Sequence, residues 1–169
     1  PTAFCNRWSQ YRNQSVYTAA ELTASGLTAG NITSIRWNTT TLGDASNNTN
    51  FSISIKAVGS TSTLTAFTNT GLTTVFGPST YTHAVGENTV TFTTPFVWDG
   101  TSNIIVDVRQ DGVDLSNNAI SYYTNQATNK TLTAITSTTS STTTLQALVA
   151  SSSATTSPST QRLNVRFGG

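Results

Sequence analysis

The sequence predicts an all-β protein, an antiparallel β-sandwich of jelly-roll type with one short helix. Three observations carry this reading. Apolar and polar residues alternate with period two in segment after segment, the mark of strands with one buried face. Glycine-containing turn pairs punctuate the segments at Gly43-Asp44, Gly77-Pro78, Gly86-Glu87, Asp99-Gly100 and Asp111-Gly112. Thr, a β-branched residue that favours strands, makes up about a fifth of the chain.

Taken in order, Gln10–Thr18 is a first strand candidate. A helix follows at Ala19–Ala24, with Thr18 as its cap, Glu21 three residues on and Gly26 as terminator. In Ile32–Thr39, Ile35 and Trp37 share one face. Phe51, Ile53, Ile55 and Ala57 alternate with Ser52, Ser54 and Lys56. Thr73–Phe76 is shorter. Val90 and Phe92 alternate with Thr89, Thr91 and Thr93, and Ile104, Val106 and Val108 share a face. Ile120–Thr124, Leu132–Thr136 and Thr143–Val149 are further short candidates. Gln161–Phe167 closes the series, with Leu163, Val165 and Phe167 on one side and Arg162, Asn164 and Arg166 on the other. The Ser/Thr runs at 136–144 and 151–159 are read as exposed strand and long loop within the same unit. The length of 169 residues suits one domain over 1–169.

Charge excludes several functions. Charged residues are only 9% of the chain, and the net charge is +1. Eight basic residues, scattered, do not make the basic stripe that nucleic-acid binding needs. No apolar run is long enough for a membrane-spanning helix. The start at Pro1 and the lack of Met read as a processed or excised mature segment. The single cysteine, Cys5, excludes an intrachain disulfide and any multi-cysteine zinc site. It is read as a small buried apolar residue, with pairing between chains as the alternative. Asn-x-Ser/Thr sequons begin at Asn13, Asn31, Asn38, Asn47, Asn50 and Asn129. A chain this rich in Asn and Thr produces several by chance, so glycosylation at them is left open.

Three stretches resemble a known family. They are Ser9 to Leu22 continuing through Gly26–Ile35, then Phe96–Val106 with its Phe-Val-Trp-Asp-Gly-Thr-Ser-Asn, and the ending Gln161–Phe167. Together they are similar to a β-sandwich module of large secreted or cell-surface Bacteroidetes proteins. That resemblance implies an extracellular or cell-surface location, Ig-like neighbours and type IX secretion, without a settled activity. The chain departs from the family pattern where Asp107-Val108-Arg109 replaces a frequent Cys. Asn13-Gln14-Ser15 looks like an insertion.

Catalytic chemistry finds little support. His83 is the only histidine, and no Gly-x-Ser-x-Gly elbow accompanies it; a solvated or hydrogen-bonded loop histidine is the plainer reading. Among the seven acids no pair stands out for glycoside hydrolysis. Asp107 is expected to pair with Arg109 or a neighbouring strand. Asp111 and Asp114 could offer oxygens to a structural calcium ion, although their spacing does not match an EF-hand loop, and turn chemistry explains them equally. No other cofactor is implied.

For carbohydrate binding the useful residues are exposed aromatics, whose flat faces cover sugar C–H surfaces. Trp8, Trp98, Tyr122 and Tyr123 are the candidates, whereas Trp37 reads as core. Trp98 also suits a packed corner, and adjacent tyrosines in a strand point to opposite faces. The residues leave two main readings open. One is a non-catalytic module binding a polysaccharide or cell-surface glycan. The other is a structural subunit that assembles with identical subunits into a filament or stalk by exchanging strands, through 1–7 or Gln161–Phe167. A third, minor reading has Thr ladders at Thr61–Thr65, Thr89–Thr93 and Thr142–Thr144 meeting ice or a crystalline polymer.

Overall fold

A computed structural model describes residues 1–111, 115–136 and 155–169. The chain forms β1 (Gln10–Tyr17), α1 (Ala19–Ala24), β2 (Gly30–Thr41), β3 (Asn47–Ala57), β4 (Thr73–Thr82), β5 (Gly86–Trp98) and β6 (Ile104–Asp111). After these come β7 (Ile120–Ser121), β8 (Tyr123–Asn125), β9 (Thr131–Thr136), β10 (Thr155–Ser159), β11 (Gln161–Leu163) and β12 (Arg166–Gly168). The sandwich expectation is met. One sheet has the order β10-β9-β1-β6-β3-β4. A smaller one has β12-β2-β5 with β7 also on β2, and β11 pairs β8. All pairings are antiparallel.

The inner faces meet in one core. Ile53, Ile55, Ile104 and Val106 from the larger sheet face Ile32, Ile35, Trp37, Val90 and Phe92 from the smaller one, all buried. Alternation along each strand puts these side chains inward and their polar neighbours outward. Residues 1–6 run into one end of this core although they form no strand. Phe4 is fully buried there, stacked 4.5 Å from His83 and edge-on to Trp37 at 5.9 Å. Gly43 makes room for this segment. It has φ +79°, and a Cβ would stand 2.6 Å from both Asn6 Oδ1 and Ala119 N.

The expected helix is present with its capping box. Glu21 N donates to Thr18 Oγ1, and Thr18 N donates to Glu21 Oε2 at 2.8 Å. Cys5 is buried, and burial pushes its thiol up to about 11.

Other expectations need correction. Gln161–Phe167 is not one strand. β11 pairs β8, β12 pairs β2, and the chain changes sheet at Asn164 and Val165. Arg162 is therefore not on a solvated face. Its guanidinium lies 4.6 Å over the Tyr17 ring, donates to Val16 O at 2.9 Å and meets both carboxylate oxygens of Glu21, at 2.9 and 2.6 Å. Asn13-Gln14-Ser15 lies in unbroken register between β6 and β9. Thr61–Thr65 lies in the β3–β4 connection and forms no strand ladder. Thr143–Val149 and Thr142–Thr144 fall outside the described residues.

The outer face of the larger sheet is covered. Register places Arg12 opposite Arg109, Gln14 opposite Asp107 and Val16 opposite Ile105. Residues 58–72 cross over them, with Leu64 packing on Val16, Ile105 and Leu132. Asp107 accepts from Arg12 Nε and Nη2 at 2.9 and 2.7 Å, from Gln14 Nε2, and from Arg109 Nε at 2.6 Å. The Asp107–Arg109 pairing is thus present, and Arg12 from β1 joins it. Thr68 O accepts from Arg12 Nη2 and Gln14 Nε2, which ties the covering segment down.

Candidate functional site

The smaller sheet keeps its outer face open. Because Ile35 and Trp37 point inward on β2, Arg36 and Asn38 point outward. Likewise Glu87 and Thr89 on β5 and Arg166 on β12 point out, while Asn88, Val90 and Phe167 are buried. Register sets Arg166 directly opposite Arg36, and Asn38 opposite Glu87. Facing residues of an antiparallel pair hold their Cβ atoms about 4.5–5.5 Å apart. Two arginines therefore stand side by side across β12 and β2.

Tyr122 closes the site between β7 and β8. Its backbone is fixed at both ends, since its N–H donates to Asn38 O at 3.0 Å and its carbonyl accepts from Asn164 N at 2.9 Å. The ring stays 56% exposed, and that exposure is what makes it usable by a ligand. The β11-to-β12 crossing supplies Asn164, Val165 and Arg166 as the opposite wall. The result is a shallow groove of about 280 Å³ lined by Arg36, Trp37, Asn38, Glu87, Tyr122, Asn164, Val165 and Arg166. A larger hollow of about 480 Å³, along residues 25–31 and 167–169, has no ionisable side chain in its wall and offers a ligand less to grip.

Within the groove, Arg36 Nη1 reaches Glu87 Oε2 at 2.9 Å. Arg166 is exposed and makes no ion pair among the described residues. Asn164 Oδ1 accepts from Thr124 Oγ1 at 2.7 Å, and Asn164 lines the groove.

The other sequence candidates fall elsewhere. Tyr123 is 40% exposed on β8 and is not among the residues lining the groove. Trp8 is half-buried, with the Arg7 guanidinium 4.8 Å over its ring. Trp98 is corrected to a structural residue, being 1% exposed with Nε1 donating to Ser102 O at 2.8 Å. Asp99 next to it accepts from Ser102 Oγ first, and from Ser102 N and Thr101 N, and these bonds hold its carboxyl down at about 2.

His83 is not solvated. It is buried, and its ring nitrogens face Asn48 Nδ2 and Leu42 O, both at 2.9 Å. A carbonyl can only accept, so Nε2 carries the hydrogen and Nδ1 accepts from Asn48. Burial lowers its pKa and favours the neutral ring. Asp111 Oδ2 accepts from Asn50 Nδ2 at 2.5 Å, and Asp114 lies outside the described residues. Among the described residues no group of three His, Cys, Asp or Glu side chains comes together to hold a metal. Of the sequon asparagines, Asn13 is buried and donates to Thr133 Oγ1, while Asn31, Asn38, Asn47, Asn50 and Asn129 are exposed. A glycan on Asn38 would fill the groove. No described helix is long and apolar enough to cross a membrane.

Sequence composition offered no direct signal for Arg36 and Arg166 as a pair. Their juxtaposition depends on β12 crossing to the smaller sheet, which alternation within Gln161–Phe167 conceals. Comparison of the chain with family models, curated proteins and solved structures gives no match.

Proposed function

We propose that this chain is a non-catalytic glycan-binding or adhesion module, extracellular or cell-surface, of the kind found in large secreted Bacteroidetes proteins. The observation that carries the reading is Tyr122, an exposed ring with a fixed backbone in a groove rimmed by amides and guanidinium groups. An aromatic face covers the C–H side of a sugar while amides and charged donors orient its hydroxyls. The absence of catalysis is supported by how the described acids are used. Glu21 holds Arg162, Asp44 holds Asn117, Glu87 holds Arg36, Asp99 holds its turn, Asp107 holds two arginines and Asp111 meets Asn50. The one histidine is spent inside the core.

Self-assembly by strand addition is the second reading, and the sheet edges weigh against it. Three of the edge strands, β4, β5 and β10, each contain a proline, Pro78, Pro95 and Pro158, whereas the short edge strands β7 and β12 carry none. Proline cannot donate to a new ladder. Of residues 1–7, one of the segments expected to be exchanged, Thr2 to Asn6 are buried against their own domain.

Retention on a panel of insoluble polysaccharides tests the proposal. Wild-type protein is expected to be retained on at least one, and Tyr122→Ala to weaken that retention about tenfold, equivalent to about 1.4 kcal/mol. Retention on none, or fibres seen in the purified protein by electron microscopy, overturns it.

A further inference from the structure

We infer that the groove selects acidic sugars, those bearing a carboxylate or a sulfate, over neutral ones. The inference rests on the glycan-binding reading and adds the ligand's charge. Its basis is an imbalance of charge set by the register. Arg36 and Arg166 are directly opposed across β2 and β12, and like charges placed this way repel. Glu87 answers only one of them, through Arg36 Nη1 at 2.9 Å. Arg166 has no acidic partner among the described residues, and the groove keeps one net positive charge.

The outer face of the larger sheet shows how this fold treats arginines that have no ligand to meet. Arg12 and Arg109 there converge on Asp107, under a covering segment. Arg166 is instead left beside an exposed aromatic ring, with its fork of donors uncommitted. A guanidinium fork matches the two oxygens of a carboxylate or sulfate, and such charge-assisted bonds are about twice as strong as neutral ones. With the ring of an acidic sugar on Tyr122, its charged group lies toward Arg166 and its hydroxyls toward Asn38 and Asn164.

The test measures binding of the purified protein to polygalacturonate, dextran sulfate and neutral dextran by titration calorimetry. Wild-type protein is expected to bind at least one of the two polyanions, more weakly as salt rises, and neutral dextran at least tenfold less tightly. Arg166→Gln should weaken polyanion binding roughly ten- to a hundredfold, the usual worth of a charged hydrogen bond. Arg166→Lys, which keeps the charge and loses the fork, should fall between the two. The preferred polyanion assigns carboxylate or sulfate. Equal binding of dextran and the polyanions, or polyanion binding unchanged in Arg166→Gln, overturns the acidic preference and leaves glycan binding standing. A protein that binds none of the three here and no polysaccharide on the insoluble panel loses both.

Discussion

On the outer face of the larger sheet, Arg12 and Arg109 are buried around a shared carboxylate and roofed by residues 58–72. On the outer face of the smaller sheet, Arg36 and Arg166 stand in the open with one acid between them. Both pairs are cross-strand neighbours in antiparallel register, so strand geometry alone does not separate them. The roof does. Once water is excluded, every guanidinium must be answered by an acceptor, because an unpaired buried charge is very costly. Where water remains, the charge is hydrated and stays available to something else. Compensated arginines therefore mark the covered face, and the partly compensated ones mark the open face that the proposal gives to a ligand.

The largest effect expected from this comparison follows Asp107→Ala. It leaves two buried guanidiniums facing each other, and urea denaturation should show a loss of about 3–5 kcal/mol. A loss under ~1 kcal/mol would mean that water reaches beneath the roof.

Glu21 with Arg162 is an intermediate case, since Arg162 is mostly covered and Glu21 is 39% exposed. Arg162 holds the Glu21 carboxyl down at about 2. A depressed carboxyl stabilises the fold above its unfolded value, and that contribution is lost as pH falls from about 4.5 toward 2. Discounted for solvent exposure, it amounts to about 1 kcal/mol. In Glu21→Gln, thermal unfolding between pH 5 and 2 should therefore slope less steeply than in the wild type.

His83 gives a smaller effect in a different window. Its pKa is lowered by burial, so the unfolded chain takes up the proton first and stability is full above the ordinary histidine value of about 6.5. The melting temperature should drop as pH falls from 7 to 5, before Glu21 begins to titrate, and His83→Gln should flatten that drop. On the open face, Arg166→Gln should change stability by no more than about 0.5 kcal/mol. A larger destabilisation would make Arg166 a structural residue and erase the contrast between the faces.

The same contrast explains what was legible in the sequence. β2, β3, β5 and β6 could be read because one face of each is apolar, and α1 could be read from Thr18 and Glu21. β1 was harder, since Tyr11 to Tyr17 are all buried, polar residues included. β6 lies under the same roof but keeps Ile104, Val106 and Val108 on its inner face, whereas both faces of β1 carry polar residues, so no period shows there. Among the site residues, Tyr122 was legible as one of two adjacent tyrosines in a polar stretch, although both turn out to be exposed rather than one. Arg162 and Arg166 looked equivalent by period two. One is clamped on Glu21 and the other faces the groove, because the chain bends between them to change sheets. A bend that swaps sheets leaves no mark in a hydrophobicity pattern.

The prolines on edge strands β4, β5 and β10 would have a consequence for a chain that carried several such units in tandem. Linked neighbours share a high effective concentration, and adjacent domains that fold at the same time are prone to pair their unfinished borders wrongly. Pro78, Pro95 and Pro158 deny an incoming backbone its run of donors. At those three edges, neighbouring copies would then be kept from joining backbones.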